Sequence, residues 1–110
     1  MPYIAKHRYA PMAAHKARRV VNTVRGLPVQ QALDQLQFQP QRAAYFTRLV
    51  IKSALANADE KEANLEALVV ATIRVDEGPS MKRFWARGRG RADTLQIQTC
   101  HIIVELDEKQ

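Results

Sequence analysis

The sequence predicts an α+β fold in which three helices pack on a small three-stranded antiparallel sheet, with a long β-hairpin protruding from it. Three observations lead to this prediction. A short alternating segment opens the chain, three amphipathic stretches follow, and two long alternating segments close it. The order strand, three helices, strand, strand is typical of helices gathered on one face of an antiparallel sheet.

The N-terminal quarter predicts a short strand followed by a basic helix. Residues 3–9 alternate weakly, and Pro11 should end the strand. From Ala14 onward the apolar residues recur at helical spacing, and Gly26 is placed to end the helix. The cations of this segment must then lie on its exposed sides. The apolar positions are Ala14, Ala17, Val20, Val21 and Val24.

Two prolines mark the starts of the next two predicted helices. Pro28 opens a short helix, because a fixed φ is tolerated in a first turn, and Pro40 opens a longer one that runs to about Ala58. Residues 57–64 are predicted to be a loop. The third helix has a wide apolar face, so we expect it to contact more than one element. Its apolar residues are Ala44, Phe46, Leu49, Val50, Ile51, Leu55 and Ala58, and those of the second helix are Val29, Ala32, Leu33 and Leu36.

The C-terminal half predicts two long strands joined as a hairpin. Residues 68–75 alternate with a period of two, and residues 94–106 do the same. The sequence DEGP at residues 76–79 should bend the first strand or interrupt its pairing. On one face we expect Val69, Ala71, Ile73 and Val75 from the first strand, and Cys100, Ile102, Val104 and Leu106 from the second.

Length and patterning together predict one domain, residues 1–110, with a globular part at about 1–75 and 99–110 and an extended hairpin at about 76–98. Core-type alternation weakens within the hairpin. Arms of ~10–12 residues would project ~30–40 Å at ~3.3 Å per residue. Because an isolated two-stranded ribbon is marginal in water, we expect something outside the protein to hold it.

Charge is distributed unevenly along the chain, whose formal net charge is +6. Residues 1–25 carry six cations and no acid, and residues 81–92 carry five cations and no acid. Residues 59–77 run the other way, with six carboxylates against two cations. This distribution favours a protein that contacts a polyanion.

The segment MKRFWARGRGRA, residues 81–92, is the strongest candidate for that contact. Its arginines can hold phosphate oxygens in pairs, and Phe84 and Trp85 can stack on unpaired bases. Gly88 and Gly90 permit a close backbone approach. The basic first helix is a second candidate. The cations concerned are Lys82, Arg83, Arg87, Arg89 and Arg91 in the segment, and Lys16, Arg18, Arg19 and Arg25 in the helix.

Two other functional classes are compatible with parts of the sequence. A DNA-binding or nucleoid-associated protein could use the Arg/Gly-rich arm in a minor groove. A cysteine enzyme could use Cys100 with His101, but adjacent strand residues point to opposite faces, so we interpret Cys100 as a buried structural residue. His7, His15 and His101 have no metal-ligand spacing, and we predict no catalysis, metal or cofactor.

Taken together, these motifs resemble the bacterial large-subunit ribosomal protein twenty-two family. The similarity runs nearly end to end. The matching pieces are the first-helix pattern Lys16-x-Arg18 with Arg25-Gly26, Ala32 and Leu36 in the second helix, SALANA at residues 53–58, VDEGPSMKR at 75–83, GRAD at 90–93 and T-x-H-I at 99–102.

The resemblance implies a ribosomal protein that binds large-subunit ribosomal RNA, helps subunit assembly and lines the nascent-polypeptide exit tunnel with its hairpin tip. It also implies contacts with neighbouring ribosomal proteins and the nascent peptide, and a monomer outside the ribosome. The residues themselves predict a cytoplasmic location, because the single Cys100 cannot form an internal disulfide, and no membrane association, because no apolar run is long enough to span a bilayer. The RNA-binding residues expected from the resemblance are Lys6, Arg8, Lys16, Arg18, Arg19, Arg25, Lys82, Arg83, Phe84, Trp85, Arg87, Gly88, Arg89, Gly90 and Arg91.

The chain departs from the family pattern in three places. Ala13 stands where the family usually has a serine before the first helix, which removes an N-cap. The tip reads Ala86-Arg87-Gly88 where Pro-Arg-Ala is usual. The returning arm has Ile97 and Gln98 in place of a Lys-Arg pair, so we expect weaker phosphate contacts there.

Overall fold

The computed structural model describes residues 2–86, 88–90 and 92–108. Within them, three helices lie on a three-stranded antiparallel sheet, and a two-stranded hairpin forms a second sheet, which confirms the predicted fold class. Two short turns occupy residues 65–67 and 88–90. The elements are β1 (Tyr3–Ala10), α1 (Ala14–Val24), α2 (Val29–Gln37), α3 (Arg42–Glu60), β2 (Leu68–Glu77), β3 (Met81–Ala86), β4 (Ala92–Ile97) and β5 (Cys100–Glu108).

The core lies between the helices and one face of the sheet. The strand order is β1-β5-β2, so β5 is central. Helix α3 packs on β1 and β5, α1 packs on β2, and α2 packs against α3. The face predicted for the last strand is confirmed, since Cys100, Ile102, Val104 and Leu106 are all 0% exposed. The opposite face of the sheet is largely open to solvent.

Helix α1 follows its predicted pattern, because all five predicted apolar residues are buried. It begins at Ala14 even though Ala13 supplies no side-chain cap. Gly26 has a φ of +83°, which a side chain would disfavour. Its amide donates to the Val70 carbonyl oxygen at 2.9 Å rather than back to the helix, so the end of α1 is fastened to β2.

The limits of α3 differ from the prediction. The helix begins at Arg42, two residues after Pro40, and it continues to Glu60. The predicted loop at 57–64 is therefore wrong for residues 57–60. The reason is that Ala58 is fully buried, so helical structure there completes the apolar face against the core. The wide face contacts β1, β5, α1 and α2, as expected, although Leu49 remains 38% exposed.

The prediction that Val69 and Ala71 share a face with Ile73 and Val75 is wrong, because β2 contains a β-bulge. Val70 pairs with Leu106 and Thr72 pairs with Glu105, so Ala71 is an extra residue. The extra residue reverses the alternation. Before the bulge Leu68 and Val70 are buried, and after it Ile73 and Val75 are buried, whereas Val69 and Ala71 are not.

The predicted continuous strand over residues 94–106 is also wrong, because it is interrupted at Gln98 and Thr99. Two hydrogen bonds account for the break. The Gly78 amide donates to the Thr99 carbonyl oxygen at 3.0 Å, and the Thr99 hydroxyl donates to the Pro79 carbonyl oxygen at 2.6 Å. The predicted interruption at DEGP is confirmed, since β2 ends at Glu77. The two strands of the hairpin therefore leave the main sheet at the same level, where Glu77 pairs with Cys100.

The molecule is elongated as a result. Strands β3 and β4 pair from Met81 with Ile97 to Ala86 with Ala92. The principal extents are 64 × 25 × 17 Å, and the Cα radius of gyration is 17.0 Å. A compact domain of this length would have a radius of gyration of about 13 Å. The hairpin thus places its side chains well away from the core.

Candidate nucleic-acid interface

Strand β3 holds the first basic cluster. All of its residues are exposed, and Phe84 and Trp85 retain 77% and 59% of their accessible surface. Successive residues of a strand face opposite sides, so the two aromatic rings lie on different faces of the hairpin. Lys82 shares a face with Phe84, and Arg83 shares a face with Trp85. Each face therefore presents a cation beside an aromatic ring, which suits contact with phosphate and base together.

Of the two glycines in the turn at the hairpin tip, Gly90 has a backbone conformation that favours glycine and Gly88 does not require it. Arg89 and Gly90 have φ values of 63° and 74°, so two consecutive residues adopt the left-handed region. At Gly88 a Cβ would meet no atom within 4 Å, so packing does not require glycine there. Arg89 is exposed at the tip. The two remaining predicted cations, Arg87 and Arg91, lie outside the described residues.

The base of the hairpin shows how the chain accommodates one departure from the family pattern. Ile97 pairs directly with Met81 and is half-buried. The position thus carries an apolar cross-strand pair instead of a cation, and such pairs stabilise two-stranded ribbons.

Lys6 and Arg8 project from the open face of the sheet. They alternate along β1 with Ala5 and His7, whose side chains are half-buried on the helical side. A pocket of about 270 Å³ on the open face joins Lys6 and Arg8 with Arg74 and His101. Arg74 also forms an exposed ion pair with Asp76, 3.6 Å between Nε and Oδ2. The sequence prediction did not select Arg74, although its outward position in the alternation of β2 was available as a signal.

The three cations of α1 and Arg25 directly after it are all exposed, as predicted, but they face two different sides. Arg18 and Arg25, seven residues apart, both reach the free edge of β2. Arg18 donates to the Val75 carbonyl oxygen at 3.0 Å, and Arg25 donates to the Ile73 carbonyl oxygen at 2.8 Å. These bonds satisfy acceptors that an edge strand otherwise leaves open. Lys16 and Arg19 lie on another side, where they line a groove together with Arg42.

Replacing Arg25 by alanine should lower the free energy of unfolding by about 1 kcal/mol, because a charge-assisted hydrogen bond to a partly buried carbonyl is lost. Urea unfolding followed by circular dichroism measures the change. Arg19→Ala, within α1, is the matched control and should stay within about 0.5 kcal/mol of wild type. Equal effects of the two substitutions would contradict a structural role for Arg25.

The carboxylates gather mainly at the end of the sheet away from the hairpin. The end of α3, the turn before β2 and the end of β5 meet there, since Leu68 pairs with Glu108. This end contains Asp59, Glu60, Glu62, Glu66, Asp107 and Glu108. The molecule therefore has an acidic end and, at the opposite end, the basic hairpin of β3 and β4. This charge distribution favours an orientation in which the hairpin is the part that approaches a polyanion.

Cys100 and His101 diverge as predicted. Cys100 is fully buried among apolar residues, and burial raises the pKa of its thiol, an effect that the nearby Arg18 guanidinium opposes. His101 lies on the other face of β5, where its Nδ1 accepts the Tyr9 amide at 3.0 Å. A buried thiol with a raised pKa is a poor nucleophile. Among the described residues, no three His, Cys, Asp or Glu side chains are grouped to hold a metal.

Within the described chain, no helix is both long and apolar enough to cross a membrane. The described basic side chains occupy three regions: the hairpin, the helical side and the open sheet face. A sequence model of the family described as "Ribosomal protein L22p/L17e" matches residues 5–107, which is nearly the whole chain.

Proposed function

The chain belongs to the ribosomal protein L22p/L17e family of large-subunit ribosomal proteins, and on this premise we propose that it binds large-subunit ribosomal RNA, helps subunit assembly and lines the nascent-polypeptide exit tunnel with its hairpin tip. Its place is the cytoplasmic ribosome, among neighbouring ribosomal proteins. It acts as a scaffold and catalyses no reaction. Outside the ribosome it is a monomer.

The distribution of cations is the observation that carries this proposal. Lys6 and Arg8 lie on the open sheet face, whereas Lys16 and Arg19 lie on the helical side and Lys82 and Arg83 on the hairpin. One straight duplex cannot contact opposite faces of a small protein and its arm together. A folded RNA that surrounds the protein can do so, because separate segments supply phosphates from several directions.

The hairpin is assigned a separate role within this function. The globular part, about 1–75 and 99–110, ties RNA segments together, and the arm, about 76–98, reaches inward with its tip at residues 82–91. The exposed apolar and aromatic side chains of β3 support this assignment, because Met81, Phe84 and Trp85 each keep more than half of their surface accessible. RNA supplies the contacts that an isolated ribbon lacks.

Filter binding tests the RNA part of the proposal. The full-length protein is titrated against deproteinised large-subunit ribosomal RNA and against duplex DNA, at several matched KCl concentrations. We expect tighter binding to the RNA and a strong fall of affinity with salt. A clear preference for duplex DNA would overturn the proposal in favour of a nucleoid-type function.

Removing positive charge from the hairpin provides a second test in the same binding assay. Lys82→Ala with Arg83→Ala should reduce the salt slope by about 1.5, since each lost phosphate contact removes about 0.7–0.9. Lys52→Ala with Lys61→Ala, two exposed cations on and just after α3, is the matched control and should change the slope little. Equal slopes for the two double variants would contradict the role of the arm.

Photo-crosslinking tests the tunnel part. A photoreactive residue at Arg89 should crosslink to a stalled nascent chain in purified ribosomes, whereas the same residue at Lys61 should not. If ribosomes incorporate the protein but give no crosslink from position 89, the proposed position of the hairpin tip in the exit tunnel is wrong. The proposed RNA binding would be unaffected by that result.

A further inference from the structure

A groove opens where α1 and α3 begin, on the helical side of the molecule. Its volume is about 470 Å³. Its basic residues are Lys16 and Arg19 from α1 and Arg42 from α3, and Gln41 lies beside them. Pro11 and Met12 provide an apolar wall. None of the residues that line it is acidic, so the groove is suited to an anion.

The three cations line the same groove. Lys16 and Arg19 are one turn apart on α1, and Arg42 enters the same groove from the first residue of α3. Within the part of the chain that the structure describes, none of them has a carboxylate partner. The Arg42 guanidinium lies 5.4 Å from the centre of the Phe46 ring, which orients it without cancelling its charge. An anion in the groove would relieve their mutual repulsion.

The backbone adds to this positive potential. Ala13 and Gln41, which precede α1 and α3, form no side-chain cap, and neither helix has an acid in its first turn. Of these two helix starts, that of α3 lies in the groove, since Arg42 and Ala43 line it, and its first amides add positive potential beside the three cations.

We propose that this groove binds a backbone phosphate of large-subunit ribosomal RNA, with the adjoining sugar against Pro11 and Met12. The inference rests on the proposed function and extends it to a defined site. It assigns Arg42 and Gln41 to RNA binding, and it separates Lys16 and Arg19, which hold the phosphate, from Arg18 and Arg25, which hold the edge of β2.

Single substitutions test the site by filter binding to deproteinised large-subunit ribosomal RNA over a range of KCl concentrations. Arg42→Ala and Arg19→Ala should each weaken binding roughly three- to tenfold and lower the salt slope by about 0.7–0.9. Arg42→Lys should keep the slope of wild type. Lys52→Ala, an exposed cation on α3 outside the groove, is the matched control and should stay within about twofold.

The outcomes separate this site from the proposed function. If the wild type binds the RNA and Arg42→Ala behaves like Lys52→Ala, the groove is overturned and the function stands. If the wild type shows no preference for the RNA, the proposed function itself fails. If Arg42→Ala lowers the thermal midpoint, the salt slope is measured instead for Lys16→Ala and Arg19→Ala, which change a different helix. A loss of slope in these two variants supports the groove as a phosphate site, and an unchanged slope overturns it.

Discussion

Replacing Ile102 by alanine is expected to reduce the free energy of unfolding by about 3–4 kcal/mol, the largest effect that we predict for a single substitution. Ile102 is fully buried on the central strand β5, between His7 of β1 and Val75 of β2. Truncation removes apolar contacts and leaves a cavity that neighbouring strands on both sides prevent from closing. For a domain of this size the thermal midpoint should fall by roughly 15 °C.

Ile4→Ala provides the matched control for Ile102. Ile4 is 44% exposed on the open face of β1, and its carbonyl oxygen accepts from Asn57, a bond that the substitution leaves in place. It should lose less than about 1 kcal/mol. Urea unfolding of both variants gives the comparison. Similar losses would mean that the core is not concentrated between the helices and β5.

Substituting Gly78 with alanine is expected to lower the free energy of unfolding by about 2 kcal/mol and to disturb the base of the hairpin. A Cβ at this position would lie 2.5 Å from the Thr99 hydroxyl oxygen and 3.2 Å from the nearest carbon of the His101 ring. The hydroxyl cannot retreat without losing its 2.6 Å bond to the Pro79 carbonyl oxygen. The strain therefore falls on the residues that hold both arms together.

A double-mutant cycle with Thr99→Ala tests this explanation. In the Thr99→Ala background the closest obstacle is absent, so Gly78→Ala should cost about 1 kcal/mol less than it does in wild type. Gly88→Ala serves as the control glycine, because a Cβ there would meet nothing within 4 Å. A cost of Gly78→Ala that is the same in both backgrounds would place the strain elsewhere.

The helical part of the fold could be predicted closely from residue spacing. The buried positions of α1 recur every three or four residues, and each is buried in the structure. The buried faces of the strands were harder to predict, because a single extra residue reverses which side chains of a strand face the core. Ala71 shifts the inward face of β2, and nothing in its own side chain marks it as a bulge. The break at Thr99 depends on bonds to Gly78 and Pro79, twenty or so residues away.

The candidate interface was predictable to a similar extent. Spacing alone required the cations of α1 to be exposed, and the structure agrees. It could not indicate that Arg18 and Arg25 would meet carbonyl oxygens of β2, because that strand lies some fifty residues further along the chain. Nor could it join Arg42 to Lys16 and Arg19, since the two helix starts are brought together only by packing.

The sequence by itself determined the fold class, the exposure of the basic residues and the likeness to a ribosomal protein family, because periodicity, charge and motif order are properties of the chain. The tertiary structure decided which exposed arginines fasten the edge of β2, which cations share a groove, and where the hairpin leaves the sheet. The physical reason is that periodicity reports the side of a helix or strand on which a residue lies. What occupies the space on that side is set by packing between distant segments.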